Sequence, residues 1–204
     1  NSSPSGVTEL AKAIDDYDPT GDQVLTLDWS SAASSGVIPA IGASWIELAA
    51  SFAAETLNSW GIFTSNINVS GHSLGAYVSA ELAERIPGGV NRLIALDPAK
   101  ELWGGYDSEL VNFSENSLFS WGFYGSSFGS SPKTVTADES FSMGFGGNNP
   151  DANHGNVKAL FSSIVEQSRT TNQISSFFKL DNMNWSVTRP WRFNEFNDMG
   201  GNTV

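Results

Sequence analysis

Apolar positions recur along this chain at two spacings. Steps of three and four residues mark helices. Leu10 and Ile14 give that spacing within residues 7–17. A longer stripe, Ile38, Ile41, Trp45, Leu48 and Phe52, predicts one helix over residues 38–60 with that face against a sheet. Val157, Leu160, Phe161, Ile164 and Val165 predict an amphipathic helix over residues 155–166. Short β-rich apolar runs predict buried strands at residues 23–28, 66–70 and 91–96. Residues 74–86 read as a helix stopped by Pro87-Gly88-Gly89. Strand, helix, strand, helix, strand at this spacing implies an α/β fold, a mostly parallel sheet with crossover helices. Beyond Asp97 the alternation weakens, and residues 110–113 and 134–137 are the best strand candidates. Residues 1–6 and 18–21 have loop and turn composition. Residues 1–180 read as one domain, and the Asn-rich stretch 181–204 as a tail or linker.

Composition narrows the function classes. With 204 residues, 40% of them hydrophobic and 16% charged, the chain is globular, not a disordered acidic tail. Its net charge is −12, and the first 84 residues hold ten acids against one base, Lys12. That excludes the basic footprint of a nucleic-acid partner and disfavours an anionic membrane surface. No apolar run reaches the roughly 18 residues of a transmembrane segment. Zero cysteines exclude disulfides, a thiol nucleophile and thiolate metal sites.

The chemistry gathers around Gly71-His72-Ser73-Leu74-Gly75. This G-x-S-x-G run lies between a predicted strand and a predicted helix, where a serine sits on a sharp bend at a helix N-terminus. Ser73 is therefore the candidate nucleophile; the plainer reading is a helix-capping turn with an idle hydroxyl. A serine needs a base, and the base an orienting acid. The chain has only two histidines. His72 adjoins Ser73 and leaves the bend in another direction, as a packing or surface residue. His154, expected in a loop just before the last helix, is the candidate base. Asp97 ends the run Leu93-Ile94-Ala95-Leu96, at the carboxyl end of a strand, and is the candidate acid. Asp28, Asp107, Asp138 and Asp151 are the alternatives.

Three islands carry a resemblance: GHSLGA at 71–76, ALDPA at 95–99 and NHGNVKALF at 153–161. They resemble the α/β-hydrolase lipases of the pancreatic and lipoprotein lipase type, including bacterial relatives, and the likeness runs from about Val24 to Ile164. The resemblance implies an α/β-hydrolase fold and a catalytic triad of Ser73, Asp97 and His154. It also implies hydrolysis of lipid carboxylic esters through an acyl-serine intermediate, without metal or cofactor, and Leu74 N–H as one oxyanion donor. The substrate would be a triacylglycerol or a phospholipid, met at a lipid–water interface, and the protein secreted. The same pattern fits an esterase or thioesterase for smaller esters, or a lipase-like lipid-binding module without catalysis.

The chain departs from the family in two places. The second oxyanion donor normally follows a strand ending in His-Gly, which this sequence lacks. Asn1 is therefore expected to be a truncation point, with N-terminal strands missing. The 56 residues between Asp97 and His154 are short for a large lid. Residues 117–131 and 141–147, rich in Ser, Gly and aromatics, read instead as an open acyl groove, a small lid or ordinary loop packing.

Overall fold

A computed structural model describes residues 5–17, 23–33, 39–62, 66–100, 105–145 and 149–167. In chain order its elements are α1 (Ser5–Tyr17), α2 (Ser30–Ala33), α3 (Pro39–Ala43), α4 (Ile46–Ser59), β1 (Asn68–His72), α5 (Leu74–Arg85) and β2 (Val90–Leu96). A 3₁₀ turn (Ser108–Leu110), β3 (Ser117–Tyr124), α6 (Ser131–Thr134), β4 (Glu139–Ser142) and α7 (Pro150–Gln167) follow. The expected tail 181–204 and turn 18–21 lie outside the described residues. Among the described residues no helix is long and apolar enough to cross a membrane.

The four strands pair in the order β1-β2-β3-β4, and every pair is parallel. The sheet sits between two helical layers, as in an α/β-hydrolase-like fold. On β2 the period-2 alternation divides the core. Leu93 and Ala95 join the cluster formed with α4 and α5. Ile94 and Leu96 join the cluster formed with α1 and α7. The register sets His72 beside Leu96, and Leu96 beside Phe123. The carboxyl ends of β1, β2 and β3 are thereby level, and the residues that follow them meet at one edge of the sheet.

β3 corrects the reading of residues 117–131 as groove or lid. Phe119, Trp121 and Phe123 are buried on the α1/α7 side, alternating with Ser120 and Gly122. The alternation is aromatic against small, so its Ser and Gly imitate loop composition. Gly122 is dictated by packing, because a Cβ there would lie 2.4 Å from the Thr134 carbonyl oxygen of α6. The segments 110–113 and 134–137 are not strands: they hold the last residues of the 3₁₀ turn and of α6 and the turns and bends that follow. Asp107 accepts from Glu109 N–H and caps the 3₁₀ turn, while Phe113 N–H bonds the Thr136 hydroxyl instead of a strand neighbour. Residues 23–29 form no strand among the described residues. A β-rich run becomes a strand only with a partner to take its backbone groups.

The helix expected over 38–60 breaks at Ser44-Trp45, where Ser44 Oγ donates to the Ile41 carbonyl at 2.8 Å. Its orientation is also reversed. Ile46, Ala49, Ala50, Ala53 and Ala54 form the buried face. Ile41, Trp45, Leu48 and Phe52 are exposed, by 41%, 41%, 59% and 61%. Alanines let α4 close on α5, whose Ala76 and Ala83 are fully buried in the same cluster. Bulky side chains on that face would hold the helices apart. Ala50→Leu is therefore expected to cost about 1–3 kcal/mol by overpacking, whereas Phe52→Ser should stay within about 0.5 kcal/mol. Urea unfolding of both variants checks which face is core.

Candidate active site

β1 ends at His72 and α5 begins at Leu74, so the whole reversal falls on Ser73. Its dihedrals, φ 58° and ψ −123°, lie where side chains are rarely tolerated. Two features hold them. Ser73 N–H donates to the Leu96 carbonyl at 3.0 Å, tying the bend to the end of β2. Gly71 lets the helix start fold back, since a Cβ there would lie 2.0 Å from the Gly75 carbonyl oxygen. Gly75 itself faces open space. Ser73 occupies the N-cap position, yet its side chain makes no capping hydrogen bond. The hydroxyl is therefore not committed to the helix start. Leu74, first residue of α5, has its N–H ahead of the helix's own hydrogen bonds.

Asp97 follows β2 and also has a positive φ, 45°. It is fully buried. Its Oδ1 accepts from Gly125 N–H at 2.9 Å and Ser126 N–H at 3.3 Å. Its Oδ2 accepts from the Ser126 hydroxyl and from His154 Nδ1 at 2.7 Å. Four donors thus offset the cost of burying this carboxylate. The other acids are engaged elsewhere or exposed. Asp28 accepts from Ser30 N–H, Asp107 caps the 3₁₀ turn, Asp138 binds Ser120, and Asp151 lies exposed in α7.

His154 lies within α7, not in a loop before it. The helix begins at Pro150, and Asn149 Oδ1 accepts from Ala152 N–H at its start. A rigid helix therefore carries the imidazole. With Nδ1 on Asp97, the ring's other nitrogen, Nε2, points away from the carboxylate. The Phe128 ring lies perpendicular to the imidazole, with centroids 6.1 Å apart.

His72 is a support. Its Nε2–H donates to the His154 carbonyl at 2.7 Å, and the two rings lie 4.4 Å apart. Burial first, and the neighbouring His154 second, push its pKa down to about 4. A histidine kept neutral when folded, but protonated below its ordinary 6.5 when unfolded, loses its contribution as pH falls between those two values. Stability is expected to drop by ~3 kcal/mol across that window. His72→Gln, which keeps a donor for the carbonyl, should flatten the drop; melting curves at stepped pH measure it.

The structure thus brings Asp97 and His154 together as expected, with Ser73 on the adjoining strand end. No hydrogen bond joins Ser73 Oγ to His154 among the described residues. Ser126 and Gly129 are the site residues that sequence reasoning missed. Their signal is the Gly-Ser-Ser-Phe-Gly run directly after β3, whose own Ser and Gly give that strand a loop-like composition. Beside them a cavity of about 390 Å³ opens among Tyr124, Gly125, Ser126, Ser127, Met143, Pro150 and Asn153.

A parallel α/β sheet with a strand–serine–helix bend and a buried Asp–His pair at its carboxyl edge defines an α/β-hydrolase-like architecture. In sequence, the chain is similar to phospholipase A1 of Vespula maculifrons, with 30% identity over 115 residues. That match takes in 49% of this chain and 38% of the relative, so the chain spans well under half of that protein's length. No family model matches the chain.

Proposed function

We propose that this chain is a serine carboxylic-ester hydrolase acting on lipid esters. The observation that carries the reading is the contact of His154 on α7 with the buried Asp97, 2.7 Å apart, beside the strand end that also holds the strained Ser73. Ser73 Oγ attacks the ester carbonyl and its proton passes to His154 Nε2. Asp97 keeps Nδ1 protonated, which fixes the tautomer with a free lone pair on Nε2. The tetrahedral oxyanion takes Leu74 N–H as one donor. Collapse forms the acyl-serine, and the leaving alcohol takes the proton back from His154. Water then repeats the sequence and releases the acid. The likeness to a phospholipase A1 supports an acyl ester of a glycerolipid, phospholipid or triacylglycerol, met at a lipid–water interface. An extracellular setting goes with that reading and with the −12 charge.

The unmade contact between Ser73 Oγ and His154 favours a second reading, a lipase-like module that binds lipid without cleaving it. Intact mass after treatment with a fluorophosphonate separates the two. One adduct per chain, followed by preference for long-chain over short-chain acyl esters, supports the lipid hydrolase. An adduct with short-chain preference supports a soluble-ester esterase. No adduct on a folded chain supports the binding module.

A further inference from the structure

The loop after β3 runs Gly125-Ser126-Ser127-Phe128-Gly129-Ser130. It is clasped to the segment that follows β2. Ser130 N–H donates to the Pro98 carbonyl at 2.7 Å, Lys100 N–H to the Phe128 carbonyl at 2.8 Å, and Ala99 bridges Gly129. The clasp closes directly over Asp97. A Cβ on Gly129 would lie 2.0 Å from Asp97 Oδ1, so only glycine lets the loop come this near. Ser126 is buried within it.

The Ser126 hydroxyl has no freedom left. A hydroxyl offers one hydrogen and two lone pairs. Phe128 N–H and Gly129 N–H approach the oxygen at 3.2 and 3.1 Å and occupy the lone pairs. The hydrogen then goes to Asp97 Oδ2, the same oxygen that receives His154 Nδ1–H. Ser126 Oγ lies only 3.3 Å from that Nδ1. It therefore fixes the carboxylate oxygen against the imidazole from one side, while the Gly125 and Ser126 N–H groups hold the other oxygen.

We propose that Ser126 is a positioning residue for the Asp97–His154 pair: its locked hydroxyl aims Oδ2 at Nδ1 and so keeps Nε2 directed toward the substrate side. The proposal rests on the reading of that pair as the acid and base of an ester hydrolase. Ser126 is not itself the nucleophile, because it meets the imidazole at Nδ1, the nitrogen already committed to Asp97.

The test uses the full chain with Ser126→Ala and Ser126→Thr. With only two histidines, the low-field resonance of the Nδ1–H on Asp97 is assignable in an imidazole-labelled sample. Ser126→Ala is expected to move that resonance upfield or lose it to exchange. Fluorophosphonate labelling of Ser73 should slow by about 10- to 100-fold, the range of one hydrogen bond to a charged group. On a soluble ester kcat should fall while KM holds. Ser126→Thr, which keeps the hydroxyl, should restore the resonance and bring labelling within about threefold of the parent. If Ser126→Ala does not fold, the threonine variant decides alone, by keeping or losing both signals. A parent-like resonance and rate in a folded Ser126→Ala would overturn the proposal. So would a folded Ser126→Thr as impaired as Ser126→Ala. If the resonance responds as expected but the parent chain never takes the label, the positioning stands and the hydrolase reading falls.

Discussion

Ser73→Ala is expected to lower ester turnover by about 10⁴- to 10⁶-fold and to abolish the fluorophosphonate adduct, with little change in stability. The split follows from the local geometry. Ser73 Oγ makes no capping bond, so removing it leaves no orphaned partner in the helix. The positive φ of 58° stays equally awkward for alanine. Unfolding should therefore shift by less than about 0.5 kcal/mol. Ser73→Gly separates strain from chemistry. Glycine adopts such dihedrals freely, and strain of this kind is worth about 1–3 kcal/mol. The glycine variant should melt above the alanine variant while being equally inactive. A turnover loss below about tenfold, roughly 1.4 kcal/mol of barrier, would move the nucleophile elsewhere.

Much of this site was legible because its signals are local. The bend announces itself as G-x-S-x-G between a strand and a helix. Asp97 follows a run of four apolar residues, and with two histidines in the chain the base was a choice of one from two. What escaped depends on contacts between distant segments. β3 was hidden because Gly122 packs against Thr134 of α6 and Ser120 is held by Asp138, so the positions between its aromatics carry Gly and Ser. Ser126 could not be singled out among many serines until β3 ended at Tyr124 and brought the following loop over Asp97. The α4 stripe misled for the opposite reason. Periodicity identified two faces of that helix, but the face chosen by size was wrong, because close helix contact favoured alanine. Residues 23–28 show the same limit: a β-rich run specifies a strand only where a neighbour can pair with it.

Asp97→Asn should also cost about 10⁴-fold in turnover, but through a different division between activity and stability. Four donors converge on this carboxylate: two backbone N–H groups, the Ser126 hydroxyl and His154 Nδ1. An amide offers one acceptor oxygen and replaces the other with a donor. If the oxygen faces His154, the amide N–H₂ confronts Gly125 and Ser126 N–H. If it faces them instead, N–H₂ confronts the imidazole and drives the proton from Nδ1 to Nε2, which then cannot accept from Ser73. Neither orientation satisfies all partners in a fully buried site, so a further cost of about 1–3 kcal/mol in stability is expected. Ser73→Ala loses only rate, whereas Asp97→Asn loses rate and melting temperature together. An asparagine variant within tenfold of the parent would mean that the 2.7 Å pair serves packing alone, and that Asp97 does not set the tautomer of His154.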